Sequence, residues 1–309
     1  MEYHARNNVH TFAKDKRVMF KMEYQNTPPG YVLLRIHSND QCDPVFYESI
    51  EYALVFSRRY LSSDKFVKKN EDLFFQQTGY VAANTKYTEH NGPSLPKKVF
   101  NTNEVDFVRA FPANFNGLTE TWFNRSRLFN WPSKETQTEI TSLPIYVVPV
   151  GKLESENRDL QWRISFTPAE IHLVHSLNDT QTKLLVCLRL LCKHIFSPIC
   201  STMSSYLMKN VVFWLSEQNP LQHFDEHRLF DRLIDALLYI QNGIRRKHIS
   251  NYMIMERNLL EGKLLDRSIR RDLDKAIADV IEQLPETLLM CMRYYHDKDS
   301  LQLMLPNLY

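Results

Sequence analysis

The spacing of apolar residues changes near Thr167, and this change constrains the fold more than any other feature of the sequence. Before it, short apolar runs such as Gly30–Ile36 and Ile145–Val150 are bounded by proline and glycine, which is typical of strands joined by loops. After it, apolar residues recur every three to four positions, which is typical of amphipathic helices. We therefore expect an α+β chain in which a β-rich lobe over residues 1–166 precedes an all-helical lobe over residues 167–309.

The segment Gln161–Asn178 lies where the two patterns meet. Alternation predicts a strand with Ile164 and Phe166 on one face and Arg163 and Ser165 on the other. An arginine and a hydroxyl beside a helix N-terminus can hold a base edge or a phosphate. The alternative is an edge strand whose polar face is simply solvated.

A helix start follows this strand directly. Thr167 can cap the helix, Pro168 suits the first helical position, and Glu170 can close a capping box. Seams between lobes are common ligand sites, so we expect this segment to form one wall of such a site.

Further elements are predicted on both sides of this segment. Val105–Phe111 is a candidate strand, residues 78–96 a loop, and Tyr47–Leu61 a short helix. Helices are also expected over Leu273–Leu284 and from Pro285 onward. Three earlier helical stripes are expected to form core: Leu184, Leu188, Leu191 and Ile195; Leu207, Val211, Trp214 and Leu215; Leu229, Phe230, Leu233, Leu237 and Ile240.

Composition excludes several classes of protein. Hydrophobic residues make up 43% of the chain and charged residues 24%, which is ordinary for a soluble globular protein, and the net charge of +2 does not indicate a nucleic-acid binder. No apolar run reaches the ~18 residues of a membrane span, so we expect no membrane partner. The N-terminal residues are polar and lack the apolar core of a secretory signal.

The cysteines point to a reducing compartment. They show no Cys-x-x-Cys pair and no histidine at zinc-finger spacing, and their number is odd: Cys42, Cys187, Cys192, Cys200 and Cys291. Free thiols in the cytosol fit this pattern, so we expect a cytoplasmic protein.

The strand Trp162-Arg-Ile-Ser-Phe166 followed by an acidic helix start resembles the Mab-21 family, which includes cyclic GMP-AMP synthase and the cGAS-like receptors. Further motifs occur in the order that the family has. They are Pro29-Gly-Tyr-Val-Leu-Leu34, Gly92-Pro-Ser94, Asp106-Phe-Val-Arg-Ala110, Trp122-Phe-Asn-Arg-Ser-Arg127, Trp131-Pro-Ser133, Val148-Pro-Val-Gly151, Leu177-Asn-Asp-Thr-Gln181, Ser204-Ser-Tyr-Leu-Met-Lys209, Phe213-Trp214 and Tyr252-Met-Ile-Met-Glu-Arg-Asn-Leu259.

The resemblance implies a nucleotidyltransferase-like mixed β-sheet lobe followed by an all-helical C-terminal lobe. Active members join two nucleoside triphosphates, ATP and GTP, into a cyclic dinucleotide that acts in innate immune signalling. The reaction uses two divalent cations, Mg²⁺ or Mn²⁺, held by three carboxylates. It also uses a Gly-Ser at a helix N-terminus to cradle the triphosphate.

The resemblance also implies roles for residues of the first lobe. Asp106 matches the third metal-holding carboxylate and is the candidate catalytic and metal residue. Arg163 would read a base edge through its planar guanidinium, and Ser165 would add a hydroxyl contact. Glu104 lies two residues before Asp106, but we do not expect these two carboxylates to be the primary metal-holding pair. Both follow Gly92-Pro-Ser94, and the family has its third metal-holding acid after that motif.

In the helical lobe, four residues match nucleotide-binding positions. Ser205 would meet a phosphate, and Tyr206 would stack on a base. The alternative is that Ser204 or Ser205 only caps the helix while Tyr206 packs. Arg189 and Lys193 would contact the triphosphate, and a solvated face is the alternative for them.

The sequence departs from the family at its front. No Gly-Ser dipeptide occurs anywhere, and no acid-x-acid pair precedes Gly30. The pair Asp272 and Asp274 is expected to open a helix and serve structure. Truncation, degeneracy or divergence could each explain the missing front; truncation is the expected one, and we expect this chain alone to be inactive. The alternative function is a non-catalytic Mab-21-type nucleotide-binding or protein-interaction module.

Two nucleic-acid features complete the expectations. The zinc-binding insertion with which some members grip double-stranded DNA is missing, so zinc-dependent DNA binding is not expected. Residues 245–271 carry eight Lys or Arg against three acids and could touch RNA or another polyanion. A solvated helical face is the alternative for that stretch.

Overall fold

The computed structural model describes residues 2–6, 17–38, 54–55, 60–68, 95–99, 103–113, 115–260 and 266–296. The chain forms two compact units. The first comprises Met1–Phe115 and Pro144–Thr167, and the second comprises Asn116–Leu143 and Pro168–Tyr309. The division into domains at residues 166/167, which the spacing of apolar residues indicates, stays a prediction. In the structure, residues 116–143 group with the second unit.

The first unit is built on an antiparallel sheet. Its described strands are β1 (Glu2–Arg6), β2 (Arg17–Glu23), β3 (Tyr31–Ser38), β4 (Leu54–Val55), β5 (Tyr60–Leu61), β6 (Leu95–Val99), β7 (Asn103–Phe107), β8 (Phe111–Ala113), β9 (Ile145–Val148) and β10 (Gln161–Ser165). The main sheet has the order β1-β2-β3-β10-β9-β8, with β5 pairing to β3 and β4, while β6 and β7 form a separate ribbon.

Trp162 on β10 lies at the centre of the first unit's core. Its side chain is fully buried, and its indole Nε1 donates a 2.9 Å hydrogen bond to the carbonyl of Leu61. The rings of Phe66 and Phe111 lie 5.3 and 5.2 Å from it, centroid to centroid. Large aromatic rings bury much apolar surface, and this cluster fixes β10 in the middle of the sheet.

The second unit is helical. Its helices are α1 (Asn116–Asn124), α2 (Lys134–Ser142), α3 (Thr167–His175), α4 (Asp179–Leu191), α5 (Ser205–Gln218), α6 (Leu229–Arg246), α7 (Arg267–Glu282) and α8 (Leu284–His296). Apolar residues of α4 to α8 form one buried core. The α+β fold predicted from the sequence is thus confirmed. None of the described helices combines the length and apolar content that a membrane crossing requires.

Side chains cap most of the helices that hold the second unit together. Asn178 and Gln181 form a capping box at the start of α4, and Ser204 accepts a hydrogen bond from the Leu207 amide at the start of α5. Asp266 accepts hydrogen bonds from two amides at the start of α7. These caps satisfy amide groups that have no partner within the helix, which explains where the helices begin.

Several sequence predictions for local structure are wrong. Val105–Phe111 is not one strand, because residues 108–110 separate β7 from β8. Residues 47–53 and 56–59 of the predicted short helix Tyr47–Leu61 lie outside the described residues, and its described residues form the short strands β4 and β5. Most of the predicted loop lies outside the described residues, and its last two residues belong to β6.

Two predictions about helices also need correction. Phe230 was expected in the core, but its side chain is 48% exposed, whereas Leu233, Leu237 and Ile240 of the same stripe are buried. The pair Asp272 and Asp274 does not open a helix, since α7 begins five residues before Asp272. The predicted helix from Pro285 is confirmed as α8.

Candidate functional site

Arg163 and Ser165 lie on an interior strand. Arg163 pairs with Val148 of β9 and with Tyr31 of β3, so β10 has neighbours on both sides. The edge-strand alternative is therefore wrong. Both side chains are partly exposed, while Ile164 between them is buried, as the alternation predicts. The Ser165 hydroxyl lies 2.8 Å from the Thr167 hydroxyl.

The capping box predicted for Thr167 and Glu170 does not form. Helix α3 already includes Thr167, and the Glu170 side chain is 6% exposed. Its Oε1 accepts a 2.9 Å hydrogen bond from the Tyr206 hydroxyl, and its Oε2 accepts a 2.8 Å bond from Lys209 Nζ. A buried carboxylate requires such partners, because an unpaired buried charge is costly.

Neighbouring side chains contact both the hydroxyl and the ring of Tyr206. Its hydroxyl accepts a 2.8 Å hydrogen bond from Asn251 Nδ2 in addition to the one it donates to Glu170. Its ring lies 5.2 Å from Lys209 Nζ and 5.9 Å from the Arg257 guanidinium carbon. The ring is half-buried, so this network fixes its orientation while leaving part of it accessible.

Asn251 links this network to the backbone. Its Oδ1 accepts hydrogen bonds of 3.1 and 2.9 Å from the amides of Met253 and Ile254. Its Nδ2 also lies 3.2 Å from Asn210 Oδ1, and Asn210 in turn donates to the Tyr206 carbonyl. Tyr206 is therefore positioned by residues of α3, of α5 and of the segment after α6.

The structure shows which of the two neighbouring serines caps helix α5. Ser204 is the residue that caps α5, and Ser205 is the first helical residue with an exposed side chain. The hydroxyl of Ser205 makes no hydrogen bond to another described residue. Ser205 thus presents a hydroxyl at a helix N-terminus, next to the fixed ring of Tyr206.

Arg189 and Lys193 flank a change in helix winding. Arg189 lies in the last turn of α4, and Lys193 lies in a π-helical segment, Cys192–Phe196, that follows directly. Their contact with a triphosphate stays a prediction. Burial raises the pKa of the Cys192 thiol, which packs in the helical core.

Asp106 lies on β7 opposite Pro96, and Glu104 lies opposite Lys98. The side chains of Asp106 and Glu104 are not among those described. Across the ranges that the structure does describe, no three His, Cys, Asp or Glu side chains are grouped so that they could hold a metal ion.

A second polar network lies in the helical unit. Glu217 Oε2 accepts hydrogen bonds from Arg125 Nη2 at 2.7 Å, Arg127 Nε at 3.0 Å and the Tyr252 hydroxyl at 2.7 Å. The Arg125 guanidinium carbon also lies 4.6 Å from the centroids of the Trp214 and Tyr252 rings. Burial and the neighbouring carboxylate raise the pKa of Tyr252, so its hydroxyl stays a donor.

The predicted basic stretch 245–271 is not one helical face. Arg245, in the last turn of α6, forms a bidentate ion pair with Asp274, at 2.7 and 3.1 Å, and Arg257 is 9% exposed. Residues 261–265 lie outside the described ranges. The solvated-helix alternative therefore holds only for residues at the ends of α6 and α7, such as Arg246 and Arg267.

Comparison with known protein families gives two matches, the first over the strand-rich part of the sequence and the second over the helical part. The Mab-21 protein nucleotidyltransferase domain matches residues 6–176, and the Mab-21 protein HhH/H2TH-like domain matches residues 180–280. The chain belongs to the Mab-21 family. The Mab-21 nucleotidyltransferase domain implies a nucleotidyltransferase fold, nucleotide substrates and the divalent metal that this class of domain usually uses.

The candidate residues divide between the two Mab-21 matches. Asp106, Arg163 and Ser165 lie in the nucleotidyltransferase match, and the other four lie in the HhH/H2TH-like match: Arg189, Lys193, Ser205 and Tyr206. The structure brings Tyr206 together with three residues that the sequence did not predict as site residues, namely Glu170, Lys209 and Asn251. Lys209 could have been found, since it lies three residues after Tyr206 on the same helix and is therefore its neighbour.

Proposed function

We propose that this chain binds nucleoside triphosphates, ATP or GTP, with Tyr206 as the base-stacking residue. The observation that carries the proposal is the fixed, half-buried ring of Tyr206, whose hydroxyl is held between Glu170 and Asn251. A ring whose orientation is set before the ligand arrives loses little rotational freedom on binding. Stacking of a base on an aromatic ring is worth ~1–3 kcal/mol in nucleic-acid-binding proteins.

Neighbouring groups fit an anionic nucleotide. Ser205 presents its hydroxyl at the N-terminus of α5, where the helix dipole favours negative charge. By resemblance alone, Arg163 is proposed to contact a base edge, Ser165 to add a hydroxyl contact, and Arg189 and Lys193 to contact phosphates; this assignment implies nothing about where these four lie relative to Tyr206. The positions of these four come from the resemblance to cGAS-like members of the family.

Metal-dependent synthesis of a cyclic dinucleotide in cytoplasmic innate immune signalling is the family reaction to which we assign this fold, and we expect the chain by itself not to carry it out. A bound Mg²⁺ or Mn²⁺ would activate the attacking hydroxyl and stabilise the pyrophosphate leaving group, and Asp106 is the residue proposed to hold it. Among the residues that the structure describes, no three His, Cys, Asp or Glu side chains form a metal site.

A titration with ATP and with GTP tests the binding proposal. Isothermal calorimetry on the purified chain should show binding that the Tyr206→Ala variant weakens about tenfold or more. Tyr206→Phe keeps the ring but loses both hydroxyl bonds, so it should weaken binding by a smaller factor. Tyr24→Ala removes an exposed ring of the first unit and should bind as the unchanged chain does.

An unchanged dissociation constant for Tyr206→Ala would show that Tyr206 only packs. Thermal unfolding of each variant separates a folding defect from a binding defect.

A non-catalytic Mab-21-type module is the second candidate, and it is favoured by the lack of a Gly-Ser dipeptide in the sequence. Such a module could bind nucleotide without converting it, or could bind a protein. Contact with RNA through residues 245–271 would use only some of the cations in that stretch, because Arg245 is paired with Asp274 and Arg257 is buried. RNA binding that Arg246→Gln and Lys247→Gln together abolish would support it.

A further inference from the structure

The buried network around Glu217 contains more positive than negative charge. The side chains of Arg125 and Arg127 are only 10% and 5% exposed, and both bind the same oxygen of Glu217. No second carboxylate contacts either guanidinium among the described residues. Buried charges in proteins are normally paired, because an unpaired charge away from water is costly.

Arg125 also has an unused donor. Its Nε is buried and has no hydrogen-bond partner among the described groups, while its two Nη atoms bind the Tyr252 carbonyl and Glu217. Arg127 binds the carbonyls of Trp122, Phe123 and Arg125 around the end of α1. The two arginines thus hold the turn after α1 in place and concentrate positive charge there.

A pocket of about 460 Å³ lies against this turn. Arg125 and Arg127 line it, together with two aromatic and five polar residues: Phe123, Phe129, Asn124, Ser126, Asn130, Lys134 and Gln137. Pockets of ~300–1,000 Å³ are the usual size for small-molecule sites. Every residue of this pocket belongs to the second unit.

Lys134 adds a third cation at the pocket. Its Nζ donates a 3.2 Å hydrogen bond to Gln137 Oε1 and lies 5.3 Å from the Phe123 ring, and it contacts no described carboxylate. Glu135 follows Lys134 in sequence but does not line the pocket. Three cations against one carboxylate give the pocket an excess of positive charge, which attracts an anion.

We propose that this pocket binds a small organic phosphate. The phosphate group supplies the negative charge that the network lacks, and the exposed side chains of Lys134, Asn124, Ser126 and Asn130 supply donors for its oxygens. The rings of Phe123 and Phe129 supply an apolar wall for the organic part. The arginines act through their charge and by holding the turn.

This site is separate from the nucleotide contacts proposed at Tyr206, and its test does not depend on them. Phenyl phosphate is a suitable probe, because it combines a phosphate with a single ring and carries no nucleotide base. Calorimetric titration of the full chain with phenyl phosphate should show binding that weakens as salt is added. Lys134→Gln should weaken it about tenfold, as expected for loss of a charge-assisted contact.

Control variants distinguish this site from general attraction of anions. Lys275→Gln removes an exposed cation from α7 and should leave binding unchanged. Inorganic phosphate should bind more weakly than phenyl phosphate if the rings contribute. Absence of binding at millimolar phenyl phosphate, equal weakening by Lys275→Gln, or full binding by a folded Lys134→Gln variant would each overturn the proposal.

Discussion

Glu217 accepts a 2.7 Å hydrogen bond from Arg125, a residue 92 positions earlier in the chain. The same oxygen also binds Arg127 and Tyr252, so one carboxylate ties the turn after α1 to α5 and to the segment after α6. Because the Glu217 side chain is only 6% exposed, water cannot easily replace it as a partner. The network is therefore a structural centre of the helical unit.

Glu217→Ala should destabilise the chain by about 3–5 kcal/mol, since it leaves two buried guanidinium groups without their carboxylate. Chemical denaturation followed by circular dichroism measures the change in the free energy of unfolding. Glu217→Gln keeps the shape and an acceptor oxygen and should cost less. A loss below about 1 kcal/mol for the alanine variant would contradict the assigned role.

Gly151→Ala should destabilise the chain by about 3 kcal/mol, as expected for overpacking against rigid atoms. A methyl group at Gly151 would lie 1.9 Å from the Arg158 carbonyl oxygen and 2.7 Å from its carbon, so the backbone itself would have to move. Gly117→Ala is the matched control. A methyl group there meets nothing within 4 Å, and the change should stabilise helix α1 by about 0.4–1 kcal/mol.

The thiols of Cys192 and Cys291 should resist alkylation in the folded chain. Burial raises the pKa of both thiols above the ordinary value of 9.0, so little of the reactive thiolate is present at neutral pH. Treatment with N-ethylmaleimide at neutral pH, followed by peptide mapping, should label them only after unfolding. Rapid labelling of Cys192 in the folded chain would contradict its place in the helical core.

Asp266→Ala should lower the melting temperature and flatten its dependence on acidic pH. Hydrogen bonds from Ser268 and from the amides of Ile269 and Ser268 lower the pKa of Asp266 in the folded chain. Its stabilising contribution is therefore complete above about pH 3.9, the ordinary value for an aspartate, and is lost as the pH falls through the lower folded value. Thermal melts between about pH 3 and pH 7 compare the two chains.

Asp266→Asn retains a good capping side chain without the charge. It should melt above the alanine variant at every pH, with a smaller pH dependence than the unchanged chain. Equal pH dependence in all three chains would assign the effect to other groups.

The purified chain should make no cyclic dinucleotide from ATP and GTP with Mg²⁺ or Mn²⁺. The sequence has no Gly-Ser dipeptide for the triphosphate, and Asp106 is the one carboxylate that we propose as a metal-holding residue, whereas two metal ions would each usually need one or two carboxylates. Chromatography of the reaction mixture checks this. Product that disappears in the Asp106→Asn variant would show that the chain is a complete enzyme.

Local patterns predicted the elements well where their residues interact mainly within one element. Alternation on β10 correctly separates buried Ile164 from partly exposed Arg163 and Ser165. The stripes of α5 and α6 are buried as expected, apart from partly buried Leu229 and exposed Phe230. The break between β7 and β8 was missed because Val108 and Ala110 continue the apolar pattern of the flanking strands. Whether Val108 and Ala110 are exposed depends on tertiary contacts, which the spacing of apolar residues along the sequence does not determine.

The candidate site was harder to predict, because its key contacts join distant residues. Glu170 sits where a capping box would place it, yet its carboxylate binds Tyr206 and Lys209, which lie 36 and 39 residues away. In the sequence, Arg125 and Arg127 stand out only as part of a family motif. Their shared partner lies about 90 residues later, and no local spacing indicates such a pairing.

The order of strands in the sheet has a consequence for how the chain is made. Strand β3 ends at Ser38, but its neighbour β10 lies at Gln161–Ser165, and helices α1 and α2 are synthesised between them. Strand β5 can pair with β3 at Arg35 soon after β3 is made, but the Tyr31–Leu33 part of β3 lacks its β10 partner until more than a hundred further residues have left the ribosome. Exposed strand edges are prone to pairing with other chains, so this interval is when a nascent chain of this protein is most exposed to aggregation.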